Sequence, residues 1–220
     1  MKQIYSFRAL ACLLALAPLT ACGAMFGGGK PDNLFRFGVP EREGAPLAVP
    51  SARQRPIALD RIRFALEIEG DRILTSRGES VLYLKDARWA AAAPDLFTQA
   101  VIRQFDQRAS GIRLVPTRER IAEGMILRLG IDRFEARYAQ GAGKDAAPMI
   151  LVSGTANLID PVSRQPVAAQ RFSVEEPATA NGKAAIAAAF DRAVLRYTVQ
   201  IVDWSTEAAT RTPLQGDRNG

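Results

Sequence analysis

Residues 125–138 read Met-Ile-Leu-Arg-Leu-Gly-Ile-Asp-Arg-Phe-Glu-Ala-Arg-Tyr, and this stretch decides the fold. Met125, Leu127, Leu129 and Ile131 fall on one face of an extended chain, while Phe134, Ala136 and Tyr138 alternate in the other phase. Side chains on a strand repeat every two residues, so a change of phase needs a bulge or a break. It is placed at Asp132-Arg133.

Downstream, Gln140 to Ala147 reads as a flexible hairpin loop. Ile150 to Ile159 and Val167 to Val174 read as two strands joined by Asp160-Pro161-Val162-Ser163-Arg164, where Asp-Pro is a strong turn signal. Upstream, Ile112 to Val115 is a strand stopped by Pro116, and residues 117–124 are a charged connection. Four strands in succession from residue 112 predict an antiparallel sheet.

Before them, Trp89, Ala93, Leu96, Phe97, Ala100, Val101 and Phe105 recur at three and four, the stripe of an amphipathic helix. Proline suits only the first turn of a helix. The helix is therefore expected from near Pro94 to about Arg108, after a short turn holding Trp89, with Asp86 as a cap for this segment and Gly111 as its end. Nearer the N-terminus, Leu34 to Phe37 is a short strand and residues 38–55 a loop. Ile57 to Ile68 alternates as a half-buried strand, and Ile73-Leu74-Thr75 and Ser80 to Leu84 follow across Gly-containing turns, a small antiparallel meander. Ile186, Phe190, Ala193, Val194, Tyr197, Ile201 and Trp204 mark a second helix from Lys183 to Trp204, with Asn181 as its cap. Trp89 and Trp204 read as core anchors, a partner-binding aromatic being the alternative for Trp89. The fold class is α+β: a largely antiparallel mixed sheet with two main helices packed on one face, one domain over residues 34–204. The polar, aperiodic residues 205–220 are expected to form a disordered tail.

The front of the chain has a different character. Lys2 and Arg8 precede an apolar run from Ala9 to Leu19, and Leu19-Thr20-Ala21-Cys22 closes it with small residues and a cysteine. This is the layout of a secretory signal peptide, residues 1–21. The run is short for a membrane span, which needs roughly 20 apolar residues. The four-residue end resembles a bacterial lipobox. That resemblance implies diacylglycerol (palmitate among its chains) on the Cys22 sulfur, cleavage before Cys22 and acylation of the new amino group. A signal peptide with a chance cysteine, or an uncleaved anchor helix, are the other readings. Residues 22–33 form a Gly-rich tether; Gly29-Lys30 lacks the first glycine and the Ser/Thr of a phosphate loop.

Composition then removes whole classes of function. The chain has two cysteines, Cys12 in the leader and Cys22, so the domain is left with no disulfide and relies on its core. It has no histidine, which removes Ser-His-Asp and Cys-His sites and the commonest metal ligand. A Ser-Lys or carboxylate pair remains formally open. However, Lys30, Lys85, Lys144 and Lys183, the lysines beyond the leader, lie in no apolar setting that would activate them. The reading is not an enzyme, with no catalytic residue, no metal and no cofactor. Loss of Lys2 and Arg8 lowers the 29 basic residues by two against 23 acids, an evenly spread excess that does not suit a nucleic-acid partner. Attraction to anionic lipid head groups stays open.

Taken in order, these features resemble the ABC-type transport auxiliary lipoprotein family, the lipoprotein components of MCE-type (mammalian cell entry) lipid transport systems. The residues that carry the resemblance are the lipobox at Cys22, Leu34 to Phe37, Arg72-Ile73-Leu74, Tyr83, and Trp89 with Pro94 five residues later. Leu127 to Tyr138 with its Arg-Phe-Glu-Ala run, Asp160-x-x-Ser163 and the terminal helix ending at Trp204 complete it. The departure is the front strand, Leu34-Phe35-Arg36-Phe37, where the family usually has a tyrosine-x-leucine start.

The resemblance implies an accessory protein that works with a membrane permease, an ATPase and a periplasmic MCE-domain protein. It would be held to a membrane by its lipid and is a possible homo-oligomer. Gly23 after the cysteine, with no Asp there, implies delivery to the outer membrane, facing the periplasm. Two other functions stay open: a lipid carrier with its own acyl-chain pocket, which Phe97, Phe105, Phe134 and Phe190 could line, and a structural lipoprotein for outer-membrane assembly.

Overall fold

Residues 32–39, 54–109, 111–116 and 124–212 are described by the structure, a computed structural model. The leader, Cys22 and the tether to residue 31 lie outside them, as do residues 40–53, 110, 117–123 and 213–220. In chain order the elements are β1 (Asn33–Phe35), β2 (Arg55–Leu59), β3 (Arg63–Phe64), a single 3-10 turn (Leu66–Ile68), β4 (Arg72–Arg77) and β5 (Ser80–Trp89). Then come α1 (Ala93–Arg108), β6 (Ile112–Pro116), β7 (Met125–Tyr138), β8 (Met149–Ile159), β9 (Pro166–Pro177) and α2 (Lys183–Arg211).

β7 is the spine of the sheet. On one side it pairs antiparallel with β8 along nearly its whole length, and the register shifts between Ile131 and Arg133. Asp132 is the extra residue. It lets Leu127, Leu129 and Ile131 before the bulge and Phe134 and Ala136 after it all turn to the same buried face. β8 pairs antiparallel with β9 in the same way. The strands come unusually close beside the bulge: a Cβ on Gly154 would stand 2.1 Å from the Gly130 carbonyl oxygen and 2.9 Å from the Tyr197 hydroxyl.

The other side of β7 is a patchwork. β2 pairs with Met125–Leu127, β3 with Gly130–Ile131 and β4 with Glu135–Tyr138, all parallel. The expected strand over Ile57–Ile68 is therefore two short strands and a 3-10 turn, which leaves Leu66 82% exposed. The chain stays beside β7 through the gaps, with the Asp60 N–H donating to the Leu127 carbonyl and the Ala65 N–H to that of Ile131. The expected meander holds only for β4–β5; β6 pairs parallel with β2 and not with β7, its neighbour in sequence. Parallel neighbours need a crossover, and α1 with its flanking segments provides it. The antiparallel ladders remain the longest, and the sheet is mixed.

β5 runs on to Trp89, which ends the strand and does not sit in a turn. Between the pairs Leu74↔Tyr83 and Arg72↔Arg88, β5 carries extra residues opposite Ile73, and Asp86 lies there at φ +52. Asp86 thus belongs to a bulge and caps no helix. α1 starts at Ala93 with Pro94 in its first turn, as the sequence required. Gly182, not Asn181, is the cap position of α2. The Asn181 side chain instead accepts from the Tyr138 hydroxyl and donates to the Lys144 carbonyl.

α2 continues past Trp204 to Arg211, burying Ser205, Ala208 and Ala209, so the expected tail cannot begin at residue 205. Arg55 of β2 donates to the Ala209 and Thr212 carbonyls and closes the helix end. Both helices lie on the face to which Phe134 points. That ring meets Phe37, Phe64, Trp89, Phe97 and Phe190 at centroid distances of 4.8–6.4 Å. Edge and tilted contacts of this kind add to the burial of large rings.

Candidate docking surface

The helix-covered face of the sheet is filled. Phe97, Phe134 and Phe190 are fully buried, and Phe105 is 2% exposed in the same core. Of these residues that could line an acyl-chain pocket, Phe97 and Phe190 both pack on the Phe134 ring. Trp89 is a core anchor, edge-on to Phe37 and Phe190. Trp204 is half-buried against Phe172. Burial pushes the Tyr197 hydroxyl well above the ordinary tyrosine range. Glu176 on β9 receives Arg192 and Arg196 from α2, and the Arg192 hydrogen bond, with help from Arg196, holds its carboxyl below the usual glutamate range. Arg108 of α1 and Asp203 of α2 form a two-pronged ion pair, and Arg108 holds the Asp203 carboxyl down.

The opposite face has another chemistry. The Asp132 bulge turns its carboxylate outward, where it accepts from Ser153 and pairs with Arg171 of β9. Arg137 of β7 reaches across β8 to Glu175 of β9. Glu135, 2% exposed, lies between them with its Oε1 3.2 Å from Arg133 Nε, an ion pair without an aligned hydrogen bond. Leu74 and Leu151 are buried in the same row. Three strands are thus laced side to side by charged side chains on a face that neither helix covers. Among the described residues β9 has a neighbour on one edge only, and Pro166 and Pro177 bracket it, which blunts the edge against strand addition.

A third surface is the end of the sheet that carries the β4–β5 hairpin. Val81 and Leu82 are 55% and 70% exposed there. Arg72 stacks over Tyr83 at 4.1 Å, and the Tyr83 hydroxyl donates to the Glu67 carbonyl. β1 joins at the far end of β5, where Arg88 binds both Asp71 and Asp32, contacts that raise its pKa. Period-two reading could not find this surface, because its apolar residues lie on an edge strand exposed on both faces.

Among the described residues no group of three or more His, Cys, Asp or Glu side chains comes together as a metal-ligand set. No described helix is long and apolar enough to cross a membrane.

The family described as ABC-type transport auxiliary lipoprotein component matches residues 40–202. No curated protein matches the sequence. Among solved structures, a Xanthomonas campestris protein of the family DUF330 superposes with a TM-score of 0.64 at 21% identity, covering 81% of this chain and 98% of its own. A hypothetical protein from Chlamydia trachomatis superposes with a TM-score of 0.51 at 9% identity, covering 72% of this chain and 99% of its own. At these identities the likeness is one of fold.

Proposed function

The chain belongs to the family of ABC-type transport auxiliary lipoprotein components, and from that premise we propose that it is the membrane-anchored accessory subunit of an MCE-type lipid transport system. Cys22 carries the lipid and holds the domain at the periplasmic face of the outer membrane. The domain is no enzyme: its task is to dock, and its partners are a periplasmic MCE-domain protein and, through it, the permease and ATPase. The observation that carries this reading is the division of the sheet into two faces. One is consumed by the aromatic core. The other presents Asp132, Arg171, Arg137 and Glu175 as a laced polar surface that neither described helix covers. Polar and charged surfaces of this kind set orientation and partner choice more than raw affinity.

The test is an affinity pull-down of the tagged lipoprotein extracted from membranes, with mass spectrometry of proteins and lipids. Recovery of an MCE-domain protein with its permease and ATPase is the expected result, weakened by Arg171→Glu or Arg137→Glu. Recovery of the lipoprotein alone with one bound phospholipid would overturn docking in favour of a carrier.

A further inference from the structure

Among the described residues β9 pairs with β8 alone, and Pro166 and Pro177 guard only its two ends. Residues 167–176 between them include neither a proline nor a lysine. An edge of this length is a template for another strand.

The ladder fixes which backbone groups of β9 face out. The Ala178 N–H donates to the Pro148 carbonyl, and the β8–β9 register then runs unshifted from Met149↔Pro177 to Leu158↔Ala168. Hydrogen-bonded pairs alternate along an antiparallel ladder. Phe172, Val174 and Glu176 therefore turn their N–H and C=O groups to β8, and Ala169, Arg171, Ser173 and Glu175 turn theirs outward. The arginines of α2 agree with this assignment: Arg196 donates to the Glu175 carbonyl and Arg192 to that of Pro177. Pro177, which has no N–H, also stands at an outward position, as proline must on an edge strand.

A strand added here has to pair outward residues with outward residues. For a second copy of β9 running antiparallel, charge chooses among the registers that remain. Arg171 against Arg171, or Glu175 against Glu175, sets like charges directly opposite, which is destabilising. Centring on Phe172 or on Val174 gives neither charge an opposite partner. Centring on Ser173 sets Arg171 of each copy against Glu175 of the other, with Phe172 against Val174 on the helix side. Arg171 and Glu175 are already held within the chain by Asp132 and Arg137, yet their side chains stay 62% and 52% exposed. The guanidinium has donors to spare and the carboxylate a second oxygen. The new pairs join the old into a run of alternating sign: Asp132 and Arg171 of one copy, then Glu175 and Arg137 of the other.

We infer that the protein self-associates through β9 as a twofold pair with Ser173 on the axis. The axis stands perpendicular to the sheet, so the two sheets become one. Both helix layers lie on one side and both polar faces on the other. The pairing stops where Ala169 meets Pro177, so the contact is small and the association depends on concentration. This goes beyond the docking reading and does not rest on it.

The experiment uses the full mature chain in detergent micelles, with no transporter component present, so its outcome stands apart from that reading. Sedimentation is expected to show a dimer that grows in from micromolar to near-millimolar protein. Over the same range the Arg171 and Ser173 amides gain protection from hydrogen exchange, while those of Phe172 and Val174 are protected throughout. Arg171→Glu and Glu175→Arg are each expected to weaken self-association on the order of tenfold. An equal mixture of the two variants restores it, because every opposed pair is again of unlike charge. Oxidative cross-linking checks the register without either charge variant: Ser173→Cys links to its own copy and Ala169→Cys does not, with the parent chain as the control for Cys22. A monomer at every concentration overturns the proposal. So does a dimer in which the two cysteine variants link alike, or one whose Arg171 and Ser173 amides stay unprotected, since another surface is then the interface.

Discussion

The two sides of β7 are built by different means. Toward β8 and β9 the sheet is one continuous antiparallel ladder of neighbours in sequence, joined by short turns. Toward β2, β3 and β4 the same strand is met by three short parallel pieces, delivered by a chain that has yet to make the α1 crossover. The ladder side specifies itself locally, through turn chemistry and alternation. The patchwork side has few ladder bonds in each piece and depends on what its side chains do in the core. Phe64 of β3 and Trp89 of β5 both pack on Phe134, which projects from β7 just past the bulge. The lesson is that a short strand can be held in register by one well-placed ring.

Phe134→Ala tests this most severely. Removing a fully buried phenylalanine is expected to cost about 3–5 kcal/mol in denaturant unfolding. If the ring holds the patchwork, native-state hydrogen exchange will show the amides of β3 and β4 losing more protection than those of β8. Equal losses on both sides would break the comparison. On the ladder side, Gly154→Ala forces a methyl against the Gly130 carbonyl and the Tyr197 hydroxyl. The expected loss is about 1–3 kcal/mol, with the denaturant m-value unchanged.

Gly38→Ala probes how the patchwork side is tied to both helices. Gly38 sits at φ +68, where a Cβ would stand 2.4 Å from that of Ala100. Its N–H donates to Asp191 of α2 and its carbonyl accepts from Arg103 of α1. The left-handed backbone alone is expected to cost about 1–2 kcal/mol. Ala100→Gly in the same chain recovers only the part due to the methyl clash, so the two substitutions will not add.

The smallest effect separates the sides by pH. Glu176 has a folded-state pKa below the ordinary 4.5 because Arg192, then Arg196, bonds its carboxylate. The stabilisation is complete above the unfolded value and is lost as pH falls through the lowered folded value. Glu176→Gln will therefore lower stability at neutral pH and flatten the acid limb of the stability curve. This would appear at the β9–α2 contact by hydrogen exchange, with β2 and β3 unaffected.

The long strand, its Asp132 bulge, the Asp160 turn, Pro94 at the start of α1 and the amphipathic stripe of α2 were all legible in the sequence. Each is a local pattern: a period of two, a proline in a first turn, a period near 3.6. The proposed docking surface was not legible in the same way. Asp132, Arg171, Arg137 and Glu175 are ordinary charges in sequence and become a set only because β7, β8 and β9 align them.

By itself, then, the sequence determined what kind of object this is: an α+β domain of the auxiliary lipoprotein family, with no histidine and no cysteine after Cys22. Tertiary structure alone decided the parallel joins of β2, β3, β4 and β6 and the splitting of Ile57–Ile68. It also decided the run of α2 to Arg211, whose last carbonyls are closed by Arg55 from the other end of the domain. The physical reason is range. Alternation, turns and caps act over a few residues and are written in order along the chain. A crossover, or an arginine capping a helix more than a hundred residues away, is settled by which surfaces can be buried together, and no local pattern carries that.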